Sequence, residues 1–160
     1  MGKKYNILAI ESSCDDTSVA VIRDSEVLSN VISSQHFHEK YHGIVPELAS
    51  RAHIKLISHV VDDALQQAKM NIDDIAALAV TSEPGLIGSL IVGSNFAKGL
   101  SLKYDLPLIP VNHIEGHVFS GNLQHEKLEF PYVALVVSGG HTALFYVDSF
   151  SSYKILGLTR

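Results

Sequence analysis

Residues 75 to 82, IAALAVTS, are a strand-length apolar run with no polar alternation. A strand with one wet face alternates polar and apolar side chains, so this run predicts a central strand covered on both faces. Such a strand needs helices around it, and the flanking sequence supplies them. Before it, PELASRAHIKLISHVVDDALQQAKM repeats apolar residues every four positions at Leu48, Ala52, Leu56, Val60, Ala64 and Ala68, with Ile57 and Val61 widening the stripe. This predicts a long helix opened by Pro46, whose missing N–H is harmless in a first turn. After it, EPGLIGS turns into a second helix, LIVGSNFAKGLSLKY.

Three short strands come first, KYNILAIE, TSVAVI and EVLSNVI, and read as an antiparallel meander with a turn at RDS. Later segments add a strand (LPLIPV), a short helix (NHIEGHVFSGNL), a hairpin (PYVALVVSGGHTALFYVD) and a further strand (YKILGL). Strands followed by alternating helix and strand predict a three-layer α/β domain with a mixed sheet.

The 160 residues suffice for one sizeable core and not for two ordinary domains. Apolar residues at 46% and charged residues at 18% fit a globular chain. The apolar runs are too short to span a membrane, and MGKKYNILAIESS reads as a first strand rather than an export signal. Cys14, the one cysteine, excludes an internal disulfide and suits a reducing cytoplasm. The net charge of −5 argues against unaided nucleic-acid binding. Lys40, Arg51 and Lys55 come closest to a basic cluster, so a nucleic-acid substrate would need positive surface from another domain or subunit.

The two ends of the chain are alike. Laying LAIESSCDDTSVAVIRDSEVL beside VALVVSGGHTALFYVDSFSSYKIL matches Ser13 with Ser138, Thr17 with Thr142, Val19 with Leu144 and Val21 with Tyr146. An internal duplication of this kind predicts a first subdomain over residues 1–130 and the opening strands of a second, truncated one over 131–160.

Two turns resemble phosphate clamps. SSCDDT offers hydroxyls and backbone N–H groups, and SGGHT offers glycines that admit a ligand close to the backbone. Asp15 and Asp16 would repel bare phosphate and suit a metal, hydroxyl or amine partner better. Read blandly, serine, aspartate and glycine are ordinary turn residues. The start of the second helix could bind an anion at its free N–H groups, or Gly88 could simply allow close packing.

His113 and His117 lie four apart in VNHIEGHVF. Four helical residues turn about 400°, so both rings share one face and could share an ion. Nine histidines placed at random would give about half a pair at this spacing. The chain has two such pairs, so context decides. His113/His117 follow a strand in the α/β alternation, where ligand sites gather, whereas His38/His42 sit in a polar loop. Glu115 points to the other side of the helix, so a third ligand must come from elsewhere. His53 and His59 read as surface or core-edge histidines, and Cys14 as a small buried residue.

IESSCDDTSVAVI, GIVPELASRAH, PGLIGSLIVG, VNHIEGH and VVSGGHT occur in this order along the chain. With them the sequence resembles the TsaD-type tRNA N6-adenosine threonylcarbamoyltransferase family, formerly classed as O-sialoglycoprotein endopeptidases, over about the first half of a member. The resemblance implies an actin-like α/β domain (ASKHA, RNase H-like) with a mixed five-stranded sheet flanked by helices. It implies transfer of threonylcarbamoyl from threonylcarbamoyl-adenylate to N6 of the adenosine beside the anticodon in tRNAs reading ANN codons. His113 and His117 match the family's metal pair, for iron or zinc with magnesium possible, and the family's third ligand is an aspartate of the second half. Val136, Val137, Ser138, Gly139 and Gly140 match its adenylate-binding stretch. Asp15 and Asp16 match an acidic pair linked to activity. Implied partners are tRNA and the other subunits of a bacterial t6A complex, a paralogue and a small ATPase. Relatives commonly carry Gly-Pro-Gly where this chain has Glu83-Pro84-Gly85, which sets a carboxylate in that loop.

Rival readings stay open on sequence. An actin-like kinase would use the same clamps for ATP and magnesium without paired histidines. A non-catalytic scaffold paralogue would lack the histidine pair and SGGHT. The metalloprotease reading fails on HIEGH, where the glutamate is one position away from its place in H-E-x-x-H.

Overall fold

A computed structural model describes residues 4–35, 43–123, 128–138, 142–150 and 152–159. These form two compact units, Met1–His113 and Ile114–Arg160.

The first unit carries a five-stranded sheet in the order β3-β2-β1-β4-β5. β1 (Asn6–Glu11), β2 (Asp16–Arg23) and β3 (Glu26–Ser34) form an antiparallel meander. Its β2–β3 turn passes through Asp24 at φ 54°, a left-handed conformation that aspartate tolerates. β4 (Ala77–Glu83) runs parallel to β1, and β5 (Leu108–Asn112) parallel to β4. Two helices link these strands, α1 (Pro46–Gln67) and α2 (Ile87–Tyr104). α1 starts at Pro46 as expected, and α2 starts three residues before Leu90, within the expected turn.

One face of the sheet presents Leu8, Ile10, Val19, Val21, Leu78 and Val80. They pack with Ile57, Val60, Val61 and Ala64 of α1 and Ala97 of α2 in a single buried cluster. Each large side chain sealed here contributes about 1.5–3 kcal/mol. Both helices therefore lie on this face. The opposite face carries Ile7, Ala9, Ala20, Ala77 and Ala79, all half-buried. The expected double-sided burial of IAALAVTS does not hold among the described residues of this unit. Alanine explains the misreading: it removes the polar alternation yet tolerates partial exposure.

The second unit is an antiparallel meander of β6 (Tyr132–Val137), β7 (Thr142–Ser149) and β8 (Ser152–Leu158), with α3 (His113–Phe119) leading in from the first unit. Val118, Ala143, Phe145 and Val147 form its core, joined by Phe119, Phe130, Tyr132, Ala134 and Val136. Phe130 stacks on Tyr132 at 5.4 Å between ring centroids.

Candidate functional site

The parallel strands β1, β4 and β5 point their carboxyl ends the same way, and polar side chains gather there. Glu11, the last residue of β1, accepts a hydrogen bond from the Thr81 hydroxyl of β4 at 2.5 Å. The backbone N–H of Ser13 also donates to it. Nδ1 of His113, just past β5, lies 3.1 Å from Glu11 Oε2 and 3.1 Å from the Ser13 hydroxyl. Burial alone would push the Glu11 carboxyl up. Donation from His113, Ser13 and Thr81 outweighs it and holds the group at about 2. The same carboxylate pushes the His113 imidazole up, against the opposing pull of burial.

The SSCDDT turn is fastened from both helices. The Ser12 hydroxyl donates to the Ser89 carbonyl at 2.9 Å, and the Ser89 hydroxyl donates to the Cys14 carbonyl at 3.1 Å. His53 of α1 reaches the same carbonyl through Nε2 at 3.0 Å, and Thr17 lies 2.7 Å from its Nδ1. His53 is fully buried, which corrects its reading as a surface or core-edge histidine. Leu86 N–H donates to the Ser13 carbonyl at 2.7 Å. A Cβ at Gly85 would sit 2.6 Å from that oxygen, so the loop needs glycine there. Gly88 likewise lies against Ser50 of α1, since its Cβ would meet the hydroxyl at 2.3 Å; this favours the close-packing reading of that glycine.

Within this clamped turn Asp15 is half-buried, and Asp16 is exposed and opens β2 opposite Ser34. Burial, followed by the Asp15 carboxylate, pushes the Cys14 thiol up. Glu83 lies exposed at the end of β4.

His113 and His117 are the first and fifth residues of α3, the placement that their spacing predicts. Glu115 accepts a hydrogen bond from the Tyr153 hydroxyl at 2.7 Å. Among the described residues no three His, Cys, Asp or Glu side chains converge as a metal shell. The donor chemistry at His113 still suits a metal ligand, because a ring held at Nδ1 by a carboxylate is the usual support for coordination through Nε2. In the stretch expected to meet the adenylate, Val136 packs into the second unit's core, Val137 is 67% exposed and Ser138 is exposed. Gly139 and Gly140 lie outside the described residues, as do His38 and His42. The sequence reading missed Glu11 and Thr81; a lone acid closing the apolar strand NILAIE was the available signal.

A mixed sheet of this strand order, with helices packed on it, is the fold of an actin-like (ASKHA) α/β domain. Solved structures agree on the fold alone. YeaZ from Pseudomonas aeruginosa superposes with a TM-score of 0.65 at 15% identity, over 97% of this chain and 66% of that one. Component A of (R)-2-hydroxyglutaryl-CoA dehydratase from Acidaminococcus fermentans gives 0.52 at 11% identity, over 98% and 46%. The family model for TsaD, tRNA N6-adenosine threonylcarbamoyltransferase, matches residues 26–160. The chain belongs to this family. A Clostridium perfringens tRNA N6-adenosine threonylcarbamoyltransferase is 54% identical over all of this chain and 48% of its own length. One from Clostridium botulinum is 52% identical over the same shares. The chain thus spans about half the length of the curated relatives it matches.

Proposed function

We propose that the full-length gene product transfers threonylcarbamoyl from threonylcarbamoyl-adenylate to N6 of the adenosine beside the anticodon in tRNAs reading ANN codons. The observation that carries this reading is the 54% identity to a curated transferase over the whole of this chain. Residues 131–160 are, in this proposal, the opening strands of a second actin-like subdomain.

His113 and His117 hold one divalent ion, iron or zinc or alternatively magnesium, with a third protein ligand from outside these 160 residues. When bound, such an ion polarises an acyl oxygen. The remaining roles fall to the chain itself. The stretch Val136, Val137, Ser138, Gly139 and Gly140 receives the adenylate. The exposed Asp16, with Asp15 beside it, orients the attacking amine or accepts its proton. The network around Ser12, Ser13 and Cys14 supports this role by fixing the turn that bears both acids. The net charge of −5 supports a requirement for partner subunits, a paralogue and a small ATPase, in engaging tRNA. Among the described residues no helix is long and apolar enough to cross a membrane, and we place the protein in the cytoplasm.

The deciding experiment is tRNA threonylcarbamoylation by the full-length gene product and its His113→Ala variant, with metal content measured on both. Loss of product together with loss of metal is expected. Full activity in the alanine variant would overturn the proposal.

A further inference from the structure

We infer that Glu11 is a positioning residue for His113: its carboxylate accepts a hydrogen bond from Nδ1–H and so favours the tautomer whose Nε2 carries the lone pair. The inference concerns a residue for which neither the motif comparison nor the proposed function gives a role. It rests on that function only for the use to which Nε2 is put.

The argument runs through hydrogen-bond directionality. Thr81 donates to Oε2, the Ser13 N–H donates to Oε1, and the imidazole meets Oε2 at 3.1 Å. An ionised carboxylate only accepts, so the ring nitrogen facing it must carry a hydrogen. In the neutral ring that leaves Nε2 as the acceptor. The Ser13 hydroxyl, also 3.1 Å from Nδ1, can donate or accept and specifies neither form by itself. Of the two groups facing Nδ1, Glu11 is therefore the one that specifies a hydrogen there. Its own aim is set by β1 and by Thr81 on the adjacent parallel strand β4. Glu11 thus links the alignment of the sheet's strands to the orientation of one imidazole.

Histidine-selective 15N labelling of the full-length protein, with His113 assigned from a His113→Gln variant, tests this directly. In the metal-free wild type at about pH 9, long-range 1H–15N correlations should show a protonated Nδ1 and a bare Nε2. A proton on Nε2 overturns the inference, and this result needs no site variant of Glu11. In Glu11→Gln the amide can donate to Nδ1, so the tautomer should mix or reverse, and Zn2+ affinity should fall roughly 10–100-fold. Thr81→Val, which leaves the carboxylate in place, should keep the wild-type tautomer. A Glu11→Gln protein with unchanged tautomer and unchanged Zn2+ affinity would also overturn it. The two readings separate cleanly. Zn2+ affinity untouched by His113→Ala counts against the metal site and leaves the tautomer result standing, whereas a reversed tautomer removes the role of Glu11 whatever the metal result.

Discussion

The Thr17 hydroxyl lies 2.7 Å from Nδ1 of His53, and Nε2 of the same ring lies 3.0 Å from the Cys14 carbonyl. A carbonyl only accepts, so Nε2 carries the proton and Thr17 donates to Nδ1. A fully buried imidazole thereby ties α1 to the turn bearing Asp15 and Asp16. His53→Leu orphans the Thr17 hydroxyl and should destabilise the protein by about 2–4 kcal/mol in urea unfolding. Thr17→Val should lower stability by about 1–2 kcal/mol. The double variant should fall short of the sum by at least about 0.5 kcal/mol. Additive losses would show that the two side chains do not interact.

Two glycines of α2 should respond oppositely to alanine. A Cβ at Gly93 would lie 2.3 Å from the Ser12 hydroxyl, which is engaged with Ser89, whereas a Cβ at Gly99 would meet nothing within 4 Å. Gly99→Ala should stabilise by about 0.5–1 kcal/mol through helix propensity. Gly93→Ala should destabilise by about 1–3 kcal/mol despite the same propensity gain. Thermal melts of both variants settle the contrast.

Acid should unfold the wild type in a manner that depends on Glu11. Its carboxyl is held at about 2 against an ordinary 4.5, so the unfolded chain binds this proton more tightly. The resulting stabilisation is fully present above about 4.5 and is lost as the pH falls towards about 2. His113 is shifted the other way, so its share is present below 6.5 and is lost as the pH rises through its raised value. Denaturation midpoints of wild type and Glu11→Gln should therefore differ most between about 4.5 and 6.5, converge as the pH falls towards about 2, and narrow without closing as the pH rises through the raised His113 value, because Ser13 and Thr81 still donate to the carboxylate. A gap that stays constant across the range would refute the coupling.

On the proposed roles, Asp16→Asn in the full-length protein should abolish transfer to tRNA while leaving adenylate binding nearly intact, because the exposed Asp16 is assigned to the amine and the stretch Val136 to Gly140 to the adenylate. Single-turnover transfer and calorimetric adenylate titration measure the two separately. An active asparagine variant would remove Asp16 from the chemistry.

Most of the strands and both long helices were legible because they follow from hydrophobic period and from punctuation by Pro46 and the Asp24 turn. The finer geometry was not. The α1 stripe read at strict four-residue intervals, from Leu48 to Ala68, drifts around the helix, because each step of four overshoots a full turn by about 40°. The face that is buried runs through Ala49, His53, Ile57, Val60, Val61 and Ala64, which mixes steps of three and four. Reading the stripe correctly would have put His53 inside. The short 3-10 turn at Ile72–Asp74 also went unread, although Asn71 and Asp74 carry the reciprocal capping pattern that marks it. The match of Val19 with Leu144 and Val21 with Tyr146 sets buried side chains beside half-exposed ones, since β7 buries Phe145 and Val147 instead. Facing has a period of two, so a one-residue offset between similar hairpins inverts it. The polar cluster at Glu11 joins residues far apart in sequence, which no local pattern reports.

Glu11 meets Thr81 across 70 positions and His113 across 102. During synthesis, the first two strands give this acid only the nearby Ser13 N–H, and the later arrival of residues 81 and 113 completes its ring of donors. The chemistry at this place is therefore a late product of assembly, ripening only once the strands on either side have zipped into register.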